Sequence, residues 1–141
     1  MATPKNELIV SGHLDNLAQI GEFVTEAGVE AGLNERDLYA VQLSVDEACT
    51  NIIQHAYSGE GQGEIRLTYQ VRADGLEIII YDQGDVFNPQ QVPDLDTAAP
   101  LEVRELGGMG LFFIKKLMDR VEFIFNTPEG NQLLLFKQRK A

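Results

Sequence analysis

The sequence predicts an α+β fold: a two-layer sandwich whose mixed, mostly antiparallel sheet carries about three helices on one face. Three observations lead there. Three segments repeat apolar residues at helical spacing, two pairs of strand-like runs are joined by turn-forming residues, and no compositional break divides the 141 residues into separate domains. With 44% hydrophobic residues, residues 1–141 form one domain large enough to close a core without disulfide staples.

Glu7 to Leu14 alternates loosely and reads as a first strand. A helix follows from about Asp15 to Ala31, with Leu17, Ile20, Phe23, Val24 and Ala27 on its apolar side and Gly32 as its C-terminal stop. Asn34 stands in N-cap position for a second helix reaching about Tyr57, and Glu35 and Asp37 suit its positive end. In that helix Leu38, Val41, Val45, Ala48 and Ile52 form one buried stripe. Beyond the turn signal Ser58 to Gly63, the segments Glu64 to Arg72 and Leu76 to Tyr81 pair as a hairpin around Ala73, Asp74 and Gly75. From Gln83 to Leu106 the pattern dissolves into Pro89, Pro93, Pro100 and scattered acids, a loop long enough to read as a lid, over 83–107. Gly107, Gly108, Met109 and Gly110 then open a third helix, running to about Met118 on Leu111, Ile114, Leu117 and Met118. A last hairpin joins Val121 to Phe125 with Gln132 to Phe136 through Thr127, Pro128, Glu129 and Gly130.

Composition excludes several functions. A net charge of −11 opposes a nucleic-acid surface, which needs clustered Lys and Arg, and Lys137, Arg139 and Lys140 are too few to reverse it. The acidity suits a basic protein partner. The longest apolar runs are strand-sized and the N-terminus lacks the order of a signal peptide, so the expected protein is soluble and cytoplasmic, without membrane contact. The single Cys49 lies at the edge of the helix stripe and reads as a small buried thiol. His13 reads as structural or exposed, and no His and Cys set has metal-ligand spacing.

Three groups of residues carry the candidate chemistry. Ser44, Glu47, Asn51 and His55 fall on a line beside the apolar stripe, at about 100° per residue. There Glu47 offers a proton acceptor and Asn51 a neutral oxygen ligand, although a carboxylate and a carboxamide also occur on ordinary helix boundaries. Asp82 ends an apolar run and is followed by Gly84: an acceptor for an exocyclic amine beside room for a flat ring, or a turn-initiating Asp. Glycines opening the third helix expose backbone N–H groups to an anion such as phosphate, and no Lys-Ser or Lys-Thr follows to make a Walker loop.

In this order the motifs resemble those of the GHKL, or Bergerat-fold, ATPases, over nearly the whole chain. Glu47 and Asn51 match the N-box, Asp82 and Gly84 the first glycine box, Gly108 and Gly110 the second. The runs Glu47-Ala48-Cys49-Thr50-Asn51 to His55, Asp82-Gln83-Gly84 to Phe87-Asn88-Pro89, and Gly108-Met109-Gly110-Leu111 with Leu117-Met118-Asp119 are most similar to the anti-sigma-factor serine kinases of that superfamily. The resemblance implies binding of ATP or ADP with Mg²⁺. It implies Asn51 as the Mg²⁺ ligand, Glu47 as acceptor of the proton of an incoming serine hydroxyl, Asp82 with Gly84 at adenine, and Gly108, Met109 and Gly110 at the phosphates. It further implies a sigma factor and an anti-sigma-factor antagonist as partners, and a homodimer.

The chain also departs from the pattern. Val86 stands where the fuller superfamily has another glycine, Leu106 stands where some members place a basic residue, with Arg104 two residues earlier, and Gly130-Asn131-Gln132 stands where a Thr often assists adenine binding. Two rival readings follow from the same residues: a nucleotide-dependent binding module without phosphotransfer, and a detached histidine-kinase catalytic domain.

Overall fold

A computed structural model describes residues 6–56, 63–84 and 109–140. Within them lie β1 (Glu7–Ser11), α1 (Leu17–Glu30), α2 (Glu35–Asn51), β2 (Glu64–Arg72), β3 (Gly75–Asp82), α3 (Met109–Leu117), β4 (Arg120–Thr127) and β5 (Gly130–Gln138). The five strands form one sheet in the order β1-β2-β3-β5-β4. Every neighbouring pair is antiparallel, so the described sheet is wholly antiparallel. Both expected hairpins are present, with β3 and β5 brought side by side at the centre.

Alternation explains the two layers. In β2, Ile65, Leu67 and Tyr69 are buried, while in β5 the inward set is Asn131, Leu133, Leu135 and Lys137. The central β3 adds Leu76, Ile78 and Ile80 to the same core, joined by Ile20, Val24 and Ala27 of α1, Val41, Val45 and Ala48 of α2, and Ile114 of α3. On the other side of the sheet the Arg66 guanidinium lies 4.1 Å from the centre of the Tyr81 ring and 3.0 Å from Glu7, covering part of that face with an alkyl stem and a charge.

Helix ends follow the local chemistry. Asn34 accepts the backbone N–H of Asp37 at 2.8 Å, completing the α2 cap. Gly32 takes φ 75°, the left-handed conformation that stops α1 and lets Leu33 donate to Gly28 at 3.0 Å. The Tyr69 hydroxyl donates to Glu30 at 2.6 Å, tying α1 to β2. Burial, then that carboxylate, push the Tyr69 hydroxyl up to about 12.

Three details differ from expectation. The first strand stops at Ser11, because Gly12 donates to Gly63 at 2.7 Å and a short 3-10 turn (Leu14–Asn16) intervenes before α1. The second helix changes register rather than continuing evenly: its α-helical part ends at Asn51 and a π-helix (Ile52–Ala56) follows. That wider turn admits both Ile52 and Ile53 to the core. Lys137, read as part of a basic tail, is only 8% exposed. Its ammonium donates to the Leu117 carbonyl at the end of α3, at 2.6 Å, and stands 3.9 Å from Asp37 and 3.8 Å from Asp119. The proposed lid at 83–107 lies outside the described residues except for Gln83 and Gly84.

Candidate functional site

The site is built on α2. Its stripe residues bury Val41, Val45, Ala48 and the Cys49 thiol, which rotates Glu47 and Asn51 to the half-exposed margin. Among the described residues neither side chain is taken up by a hydrogen bond or ion pair. Asn51 is the last α-helical residue before the π-turn. Ser44, expected on the same polar line, is instead 1% exposed, and among the described residues its hydroxyl has no partner. Of His55 only the backbone is described, within the π-helix.

Asp82 ends β3, as expected, and antiparallel register sets it opposite Asn131 of β5. Asn131 was noted in the sequence only as a departure; here it donates to Asp82 Oδ1 at 3.2 Å and to the Gly84 carbonyl at 3.0 Å. Gly84 donates its own N–H to Asp82 Oδ1 at 2.9 Å. These bonds hold one carboxylate oxygen and the strand exit in a fixed relation. The signal that could have found Asn131 was register, since pairing the two hairpins brings the start of β5 to the end of β3. Gly130 begins β5 at φ 95°, and a Cβ there would overlap the Asp82 carbonyl oxygen.

Burial pushes the Asp82 carboxyl above the ordinary carboxylate range, while the Asn131 and Gly84 hydrogen bonds pull it back. Burial also drives the Cys49 thiol far up, with further pushes from the Asp46 and Asp82 charges. The thiol is therefore protonated and inert, as a packing cysteine. The influence of Asp82 on it brings the end of β3 within electrostatic reach of the part of α2 that carries Glu47 and Asn51.

The third group enters through α3, which packs on α2. Met109 and Gly110 form its first turn, so their backbone N–H groups lie at the positive end of the helix, suited to an anion. Gly107 and Gly108 lie outside the described residues, as do Val86, Arg104 and Leu106. Among the described residues no three His, Cys, Asp or Glu side chains are grouped to hold a metal ion. Asn51 supplies a single neutral oxygen. A single neutral oxygen fits a hard cation held chiefly by phosphate oxygens and water, as Mg²⁺ is.

Comparison with known proteins agrees with this fold. Residues 10–137 match the histidine kinase-like ATPase domain family, and the chain belongs to it. Among individual relatives, it is 37% identical over 110 residues to the serine-protein kinase RsbW of Bacillus velezensis, covering 74% of this chain and 69% of that protein. The proteins of the same name are 33% identical over 111 residues in Listeria monocytogenes (76% of this chain, 69% of the relative) and 38% identical over 112 residues in Halalkalibacterium halodurans (77% and 68%). Among the described residues no helix is long and apolar enough to cross a membrane.

Proposed function

We propose that the chain is an ATP-dependent serine/threonine protein kinase that acts as an anti-sigma factor in the cytoplasm, binding a sigma factor and phosphorylating its antagonist. The observation that carries this is the carboxylate of Asp82, fixed by Asn131 and Gly84 within electrostatic reach of α2, in a chain whose relatives are named serine-protein kinases.

In this reading Asp82 accepts the amino group of adenine, and Gly84 leaves room for the ring. The backbone of Gly108, Met109 and Gly110 holds the phosphates at the start of α3, the positive end of that helix. Asn51 would hold Mg²⁺ through its side-chain oxygen, a metal whose chemistry would be to neutralise phosphate charge. Glu47, one turn earlier on α2, takes the proton of the incoming hydroxyl and aligns its oxygen with the terminal phosphorus. The lid at 83–107 closes over the nucleotide and keeps water from competing with the serine. The active species is a homodimer, and a surface carrying a charge of −11 makes no direct contact with nucleic acid.

The test is to incubate the chain with labelled ATP, Mg²⁺ and a candidate antagonist, beside Glu47→Ala and Asn51→Ala. Acid-stable label on a partner serine, lost in both variants, supports the kinase. Nucleotide binding without transfer favours the binding module, and acid-labile label on a partner histidine favours the detached histidine-kinase domain.

A further inference from the structure

On the side of the helical layer away from the sheet, α1 and α2 leave a groove of about 660 Å³ between them. Its accessible apolar surface comes from Leu17 of α1 and Leu43 of α2, with Ile20, Val24 and Val45 beneath them almost fully buried. Tyr39 stands at one lip, 64% exposed. A large exposed aromatic beside an apolar floor is the composition of an interaction surface more than of a solvated one.

Two independent features narrow what the groove receives. The first is Gly21, in the interior of α1, where glycine costs helix stability relative to alanine. Among the described residues nothing requires it: a Cβ added at Gly21 meets no atom within 4 Å. The open space above it is explained if another backbone approaches there. The second is charge. Glu22, Glu26 and Asp46 border the groove, and among the described residues no Lys or Arg lines it and these three carboxylates have no basic partner. A groove between two parallel ridges takes the ridge of a third helix, with small residues permitting close approach.

We propose that the α1–α2 groove is a docking site for a basic amphipathic helix of a partner protein, whose apolar ridge lies over Gly21 and whose Lys or Arg residues meet Glu22, Glu26 and Asp46. Such helix-in-groove recognition is read through anchors at helical spacing. The site is distinct from the nucleotide-site residues and stands whether or not phosphate is transferred. Through Asp46 it borders Glu47, so a docked partner is brought to the margin of that site.

The probe is a synthetic helical peptide with leucines at positions i, i+3, i+4 and i+7 and flanking lysines. A control peptide replaces each lysine with glutamate. Binding to the isotopically labelled full chain is followed by amide chemical shifts and by fluorescence anisotropy. The expected result is shifts confined to α1 and α2, with a Kd on the order of 10 μM at low salt. Gly21→Lys, which restores helix propensity while filling and recharging the groove, should keep the fold, with an unchanged or raised Tm. It should weaken the lysine peptide about ten-fold or more, whereas Asp74→Lys, a larger charge change of the same sign on a distant turn, should alter binding less than about two-fold. Shifts spread across other acidic surfaces, equal binding of the glutamate peptide, or wild-type affinity in Gly21→Lys would overturn the proposal. So would a change in sedimentation of Gly21→Lys with no peptide binding to the wild type, which would assign the groove to a second copy of the chain.

Discussion

At Asp82 stability and binding pull against each other. Burial penalises the ionised carboxylate, and the bonds from Asn131 and Gly84 recover only part of that cost. Because the folded pKa lies above the unfolded one, the penalty is absent well below the ordinary carboxyl value of 3.8 and fully present once the pH has risen through the folded pKa. Asp82→Asn, nearly isosteric, should therefore raise Tm at neutral pH, and that gain should fade as acid is added. The same variant should lose adenine nucleotide affinity by about ten-fold or more, because the carboxamide is a weaker acceptor than a carboxylate for the adenine amine. Thermal melts across pH and nucleotide titrations check both halves. At this scale the residue types of the candidate site were legible from one strand or helix at a time. The role of Asn131 was not, because it exists only through pairing between two hairpins, which joins residues 49 positions apart.

The elements were the most legible part of the chain, for a local reason. Asn34, Gly32 and the turn at Ala73 and Asp74 each act within a few residues, so their chemistry reads directly from sequence. Asn34→Ala should lower stability by about 1 kcal/mol, measured by urea denaturation, through loss of the α2 cap. Lys137 was misread for the opposite reason. Its alternation with Leu133 and Leu135 points it inward, yet a Lys in a tail of basic residues looks solvated until α2 supplies Asp37, α3 its end carbonyl and the α3–β4 link Asp119. Lys137→Met should destabilise by about 3 kcal/mol, because it leaves the buried Asp37 without its cation. Adding Asp37→Asn to that variant should recover part of the loss, and recovery is read from the same denaturation curves. The π-turn after Asn51 likewise needed the whole core, since it follows from seating Ile52 and Ile53 together.

Over the whole molecule, an antiparallel sheet backed by helices puts Glu47, Asn51, Asp82 and the start of α3 on elements that pack together, while the acidic groove between α1 and α2 faces outward. The two-layer class was legible because periodicity and turn chemistry agree along the chain. Strand order was not, because nothing local says that β5 enters between β3 and β4. The central claim is that Asn51 and Glu47 have separate tasks, one in holding metal-bound nucleotide and the other in transfer. The most direct measurement compares Glu47→Gln with wild type for both Mg²⁺-ATP affinity and phosphate transfer to a partner serine. The expected result is an affinity within about three-fold of wild type with transfer slowed at least about 100-fold. Transfer at the wild-type rate, or loss of nucleotide affinity in step with activity, would contradict it.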